Sequence, residues 1–206
     1  MRHHESQPLH LPCLMTTDHL LPVGKRNIRG NGFIFSQTLL DAIKHHGVWL
    51  VMQDSDGQAA IAPGDIVIQA KILAVDWLSA DQICAEIYTH RWGRIVSVRQ
   101  AAGFGWLCAQ PAPLWKTPQR LSSDDILVTH FRQWLRESSR LTPSPWLSEQ
   151  TPHITDPNQL CWYWLELLPL PLSTKQRLLR QPDSQVCLRY LKKIFRHSDR
   201  FSLNLR

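Results

Sequence analysis

Long apolar runs are missing from this chain: nothing in its 206 residues approaches the ~18 consecutive apolar positions that a membrane span needs. A membrane is therefore not an expected partner. The opening Met1-Arg2-His3-His4-Glu5 leads into no apolar core of the signal-peptide kind, so export is not indicated and a cytoplasmic setting is expected. Paired cysteines are missing too. Cys13, Cys84, Cys108, Cys161 and Cys187 are odd in number and widely spaced, and no CxxC occurs. Neither a zinc ribbon nor a redox dithiol is expected, and buried reduced thiols fit better. Glycine is sparse: the nine present never form GxxxxGK(S/T), which excludes phosphate-loop ATP hydrolysis. G-x-S-x-G and HExxH are absent, and the histidines are scattered. No catalytic residue, metal ligand or cofactor site follows from these patterns. A Cys–His pair could arise only through proximity in space.

What is present argues for a folded globule. Nine Trp and 43% hydrophobic residues promise filled cores, whereas disordered chains are aromatic-poor. The length fits one large domain or two lobes. Charge is uneven. Residues 175–206 hold nine Lys/Arg against Asp183 and Asp199, a net +7, while the rest of the chain is close to neutral at −1. The basic character therefore belongs to the C-terminal end.

Hydrophobic spacing divides the chain. Residues 1–8 form a polar tail. Leu11–Met15 is a first strand. A loop with Pro22, Gly24, Gly30 and Gly32 follows. Phe35, Leu39, Leu40 and Ile43 recur at helical spacing, with Ser36 as a cap and Gly47 as a stop. The continuous run Val48–Met52 is a buried strand, 53–57 a turn, and 64–74 an alternating strand. Residues 82–88 and 94–99 also alternate, and His90-Arg91-Trp92-Gly93 joins them as a hairpin. Phe104–Gln110 is one more strand. Many short strands argue for a barrel or sheet lobe over 9–118. Pro111, Pro113 and Pro118 mark the boundary. A helical bundle lobe is expected over 119–206, so the fold class is α+β. Its first helix is capped by Ser122, Ser123, Asp124 and Asp125, with Ile126, Leu127, Phe131, Trp134 and Leu135 as its core face. A proline-rich connector over 141–157 follows, then helices at 160–168, 173–179 and 185–195.

Two features could bind something. On the last helix, Cys187, Leu188, Leu191, Ile194 and Phe195 share one face, and Arg189, Lys192, Lys193 and Arg196 the other. That basic face suits nucleic acid or an anionic lipid surface, or it is an ordinary solvated face beside a packed one. On the hairpin, Trp92 between Arg91 and Arg94 could stack a base or grip a peptide, or be a half-buried aromatic at a turn.

The order of elements resembles a known family. Leu11-Pro12, then Leu20-Leu21-Pro22-Val23-Gly24 and Ile28-Arg29, is similar to the opening of the Lon protease N-terminal (substrate-binding) domain, "LP…P-L…LLP-G…L-R-I-F-E". Ala70-Lys71-Ile72-Leu73-Ala74-Val75-Asp76-Trp77 resembles its "VGT-A-I-D-W" segment. Trp92-Gly93-Arg94-Ile95 falls where the family has "G-x-x-R-F-x-V". Leu165-Glu166-Leu167-Leu168-Pro169-Leu170-Pro171, with Lys175-Gln176 and Leu178-Leu179, resembles the "LAELLPLP…KQ-LLEL" signature of stand-alone members. Gly30-Asn31-Gly32 departs from the family's "IFE". The likeness runs from about residue 9 to 196.

The resemblance implies a PUA-like β-barrel or sheet lobe followed by a helical bundle, in a stand-alone member without the ATPase and peptidase modules. It implies a non-catalytic module that binds unfolded polypeptides or a partner protein, as an adaptor. Ile28 and Arg29 in the loop and Arg91, Trp92 and Arg94 on the hairpin are the expected peptide contacts. The alternative is an RNA- or nucleic-acid-binding protein that uses Arg189, Lys192, Lys193 and Arg196. No cofactor is expected in either case.

Overall fold

The computed structural model describes residues 7–18, 24–79, 82–101, 104–111, 115, 120–141 and 154–203. The chain forms two compact units. One combines Met1–Leu114 with Pro171–Arg180, and the other combines Trp115–Leu170 with Gln181–Arg206. Sheet and helices coexist as α+β, with the strands in the first unit and most of the helices in the second.

The first unit is built on six strands. They are β1 (Leu9–Thr16), β2 (Gly24–Asn31), β3 (Val48–Met52), β4 (Ile66–Trp77), β5 (Gln82–Ala101) and β6 (Phe104–Pro111). β1 pairs parallel with β3, and the pairings then run antiparallel through β4, β5 and β6 back to β1. Five strands therefore close a ring, and β2 hangs outside it on the first half of β5. Closure removes the exposed edges that an open sheet would present. Inside the ring lie Leu11, Cys13, Trp49, Val51, Val67, Ile95, Leu107 and Ala109. Trp49 fills the centre and donates its indole N–H to the Leu9 carbonyl at 3.2 Å. Gly93 makes room for that ring, since a Cβ there would lie 2.6 Å from Trp49 Cη2.

All five residues of β3 are buried, as its unbroken apolar run predicts for a strand covered on both faces. Helix α1 (Gly32–Lys44) begins four residues before the expected Ser36 cap. Gly32 turns the chain into it with φ +79°, and the Ser36 hydroxyl donates inside the helix to the Gly32 carbonyl at 3.0 Å. At the other end His46, not Gly47, takes the left-handed conformation (φ 55°). The Gly47 N–H then closes on the Ala42 carbonyl at 2.9 Å.

Two expected local structures are corrected. Residues 90–93 are no hairpin: β5 runs unbroken through them for 20 residues, with Arg91, Trp92 and Gly93 opposite Gln69, Ile68 and Val67. The glycine that suggested a turn is there for the Trp49 ring. The expected loop around Ile28 and Arg29 is strand β2, and Gly30 lies beneath the Phe35 ring, where a Cβ would sit 2.4 Å away.

The short helix at Leu172–Leu179 follows three other helices in the chain but belongs to the first unit. Its buried Gln176 bonds both polar groups of one residue of β4. Oε1 accepts the Ile66 N–H at 2.9 Å and Nε2 donates to the Ile66 carbonyl at 3.0 Å. The side-chain amide thus does for Ile66 what a neighbouring strand would do. One turn later the Arg180 guanidinium pairs with buried Asp65, whose other oxygen accepts the Ala62 N–H at 2.8 Å.

The second unit holds α2 (Ile126–Leu141), α3 (Pro157–Leu167) and, counting the Leu172–Leu179 helix as α4, α5 (Gln185–Leu203). Asp125 caps α2 through the Leu127 N–H at 3.1 Å, as the Ser-Ser-Asp-Asp run predicts. Asp156 caps α3 through the N–H groups of Asn158 and Gln159, with Pro157 in the first turn. The core is aromatic. The Phe131 ring lies 5.0 Å from Tyr163 and 5.4 Å edge-on from Trp164, and Trp164 lies 4.5 Å from Phe195. Such offset and edge-to-face contacts are the favoured ones. Cys161 and Cys187 are fully buried between these helices.

Candidate functional site

The expected contact residues separate into two places. Ile28 and Arg29 sit on β2 opposite Ala85 and Cys84, with the Ile28 side chain buried and Arg29 exposed. Arg91, Trp92 and Arg94 sit further along β5, opposite Gln69, Ile68 and Ile66. Seven residues of extended chain separate Ala85 from Trp92, or about 23 Å. Trp92 is buried, so its ring packs against the sheet instead of standing at a tip. Arg91 is exposed and Arg94 half-buried, and strand alternation turns them to opposite faces. These five residues do not form one patch.

A different set does gather. Trp77 ends β4 opposite Ile83, and Ile83 lies opposite Gly30 on β2. Strands are ~4.8 Å apart, so the Trp77 and Gly30 backbones are about 10 Å apart on the same row. The first turn of α1 covers that row through Phe35. Phe33 and Ile34, just before it, are 74% and 59% exposed, and Trp77 and Leu78 are 66% and 50% exposed. Leu78 is held in place by its N–H bond to the Gln82 carbonyl at 2.9 Å. Four large apolar side chains thus face water at one end of the sheet. Leu40 and Ile43 continue an exposed apolar line along α1. Scattered exposed apolar residues are ordinary, but a group at one end of a sheet marks a contact surface.

Sequence reasoning missed these residues for a reason. The alternating strand read from the sequence stops at residue 74, short of Trp77, and the helix read from it starts at Phe35, just after Phe33 and Ile34. The register of β4 on β5, which shifts between Gln69 and Ala70 and again between Ile72 and Ala74, is what places Trp77 opposite Ile83 at the end of the sheet, where its side chain stays exposed.

The open face of the same strands is polar. Lys25 on β2 is 3.3 Å from Glu86 on β5. The rings of Tyr88 and His90 lie nearly parallel, 6.3 Å apart. Partial burial holds His90 below the usual imidazole pKa, and the Lys71 and Arg91 charges push the same way. Inside the ring, burial pushes the Cys13 thiol up to about 11. Among the described residues no three His, Cys, Asp or Glu side chains converge as metal ligands. No described helix is long and apolar enough to cross a membrane.

On α5, Arg189, Lys193 and Arg196 are exposed. Lys192, expected with them, is instead held by Asp125 at 2.6 Å and is only 30% exposed. Its ammonium thus pairs with the α2 cap residue, whereas Arg189, Lys193 and Arg196 stand exposed.

No family model matches the chain, and no curated protein matches it in sequence. Its fold is similar to that of solved structures. A Lon N-terminal domain protein from Xanthomonas campestris is 18% identical, with a TM-score of 0.63 over 90% of this chain and 98% of that one. The N-terminal domain of Mycobacterium avium complex Lon protease is 19% identical, with a TM-score of 0.58 over 89% of this chain and 96% of that one. The fold is therefore that of Lon N-terminal domains, as the Leu165–Leu179 signature implies.

Proposed function

We propose that this chain is a non-catalytic binding module that holds exposed apolar segments of unfolded or partner polypeptides at the Phe33, Ile34, Trp77 and Leu78 surface. The observation that carries the proposal is the exposure of those four side chains at one end of the sheet. An apolar surface of this kind gains free energy by covering apolar side chains of another chain, without needing a fixed sequence. The fold it shares with Lon N-terminal domains, one of them from a protease, favours a role as an adaptor that presents polypeptides. The ring-closed lobe is then PUA-like, and the setting is cytoplasmic, where its thiols stay reduced. Exposed Arg29 and Arg91 and half-buried Arg94 are secondary polar contacts, and Trp92 contributes through packing.

The test is fluorescence anisotropy of a labelled, permanently unfolded polypeptide at low and high salt. Binding should survive salt. Trp77→Ser, at an exposed position, should weaken it about ten-fold or more while leaving the far-UV spectrum unchanged. No binding, or equal binding by a Trp77→Ser/Leu78→Ser double variant, refutes the proposal.

A second reading, nucleic-acid binding, draws on the exposed stripe of Arg189, Lys193 and Arg196, which recur on one side of α5. It predicts RNA affinity that falls by roughly one log unit per log salt for each phosphate contact. Replacing the three with Ala should abolish that affinity, and unchanged affinity removes this reading.

A further inference from the structure

Strand β2 carries a second, more specific possibility for the same polypeptide-binding reading, on which it rests. Its eight residues pair along β5 without a register shift. It lies outside the closed ring and, among the described residues, has β5 as its one strand neighbour. An edge strand presents a row of backbone donors and acceptors to any extended chain. Edges are commonly blunted by proline, a bulge or charge. β2 has no proline and no bulge within its pairing; it has charge of one sign, from Lys25, Arg26 and Arg29, with no acidic residue. The acidic neighbour across the ladder, Glu86, is already matched to Lys25. Arg29 is exposed two positions further along the same face as Lys25 and Asn27, opposite Cys84.

This charge pattern selects the occupant. A second copy of the chain pairing through β2 about Arg29 would set that exposed guanidinium opposite its counterpart, and like charges directly opposite are destabilising. A strand with carboxylates at alternate positions meets the opposite situation on the face of Lys25 and Arg29. We propose that β2 takes an acidic, extended peptide segment by strand addition, with backbone bonds holding the segment and Arg29 selecting its acidic side chains.

The experiment uses the full chain and three capped ten-residue peptides. One alternates Glu with Val, one alternates Lys with Val, and the third is the Glu peptide with every backbone N–H methylated. The Glu peptide should bind, the Lys peptide should bind weakly, and methylation should abolish binding. Arg29→Glu should weaken the Glu peptide about five-fold and strengthen the Lys peptide, because the charge sits on the surface and does not hold the fold. Equal binding by the methylated peptide, no response to Arg29→Glu, or no binding of the Glu peptide each overturns strand addition. The two proposals fail separately. If Trp77→Ser still disrupts binding of an unfolded chain while the Glu peptide does not bind, only strand addition is lost. If the Glu peptide behaves as expected while Trp77→Ser changes nothing, the apolar surface is lost.

Discussion

Replacing Gln176 should cost the first unit more than any other single polar change described above. The buried side chain satisfies both the N–H and the carbonyl of Ile66 and lies 3.6 Å from Met52 Sδ. Gln176→Ala strips both backbone groups of partners. A buried group left unsatisfied costs about 1–3 kcal/mol, so the pair costs about 2–6 kcal/mol, with the lower end applying if water enters the gap. Gln176→Met keeps the volume and loses both bonds, so it should fall in the same range and separate bonding from packing. Gln176→Glu adds a sign test. The new carboxylate keeps an acceptor for the Ile66 N–H but faces the Ile66 carbonyl, and burial raises its pKa above that of the unfolded chain. The folded state then binds the proton more tightly, so the variant gains stability as pH falls and loses it as pH rises through that pKa. The assays are urea unfolding followed by Trp fluorescence and hydrogen exchange at the Ile66 amide. A Gln176→Ala variant within about 0.5 kcal/mol of the parent, with Ile66 still protected, would refute the reasoning.

Three further outcomes are expected. Gly93→Ala places a methyl 2.6 Å from Trp49 and 3.1 Å from the Ala109 Cβ, and overpacking of this kind should cost about 1–3 kcal/mol in thermal or urea unfolding. Asp125→Ala loses both the α2 cap and the Lys192 pair, so it should destabilise the second unit by about 1–2 kcal/mol more than Lys192→Ala, as compared by denaturation midpoints. In native protein at pH 8, half-buried Cys84 and Cys108 should react with a thiol reagent first. Cys13 should react only on unfolding, because burial keeps it protonated to about pH 11. Equal rates for all five thiols would contradict the packing described.

Local pattern made some parts of this molecule legible. Val48–Met52 has no polar position, so a strand buried on both faces is the economical reading. The carboxylates before Ile126 fix a helix start within a residue or two. The Leu165–Leu179 signature carried the fold. Other parts depended on contacts distant in sequence. His90-Arg91-Trp92-Gly93 has the composition of a turn, and nothing within ten residues reveals that Gly93 is small because Trp49 lies across the ring. Gly30 suggests a loop for the same kind of reason, since Phe35 needs its missing side chain. Lys192 looks free until Asp125, 67 residues away, takes its charge. The apolar end at Phe33 and Trp77 was hidden because both lie just beyond the elements read from the sequence, and only the finished sheet places both at one end with their side chains exposed.

The placement of Leu172–Leu179 has a consequence for synthesis. The chain builds the six strands first, leaves to start the second unit, returns for Pro171–Arg180, and leaves again. While the ribosome has reached only residue 114, the ring can close, but the two backbone groups of Ile66 have no partner. A nascent sheet in this condition is sticky at one known place, and it stays so until residue 176 emerges. Neither unit can be finished as an uninterrupted stretch of chain, so a premature stop anywhere before that helix should yield a product that aggregates or is degraded rather than a smaller working domain.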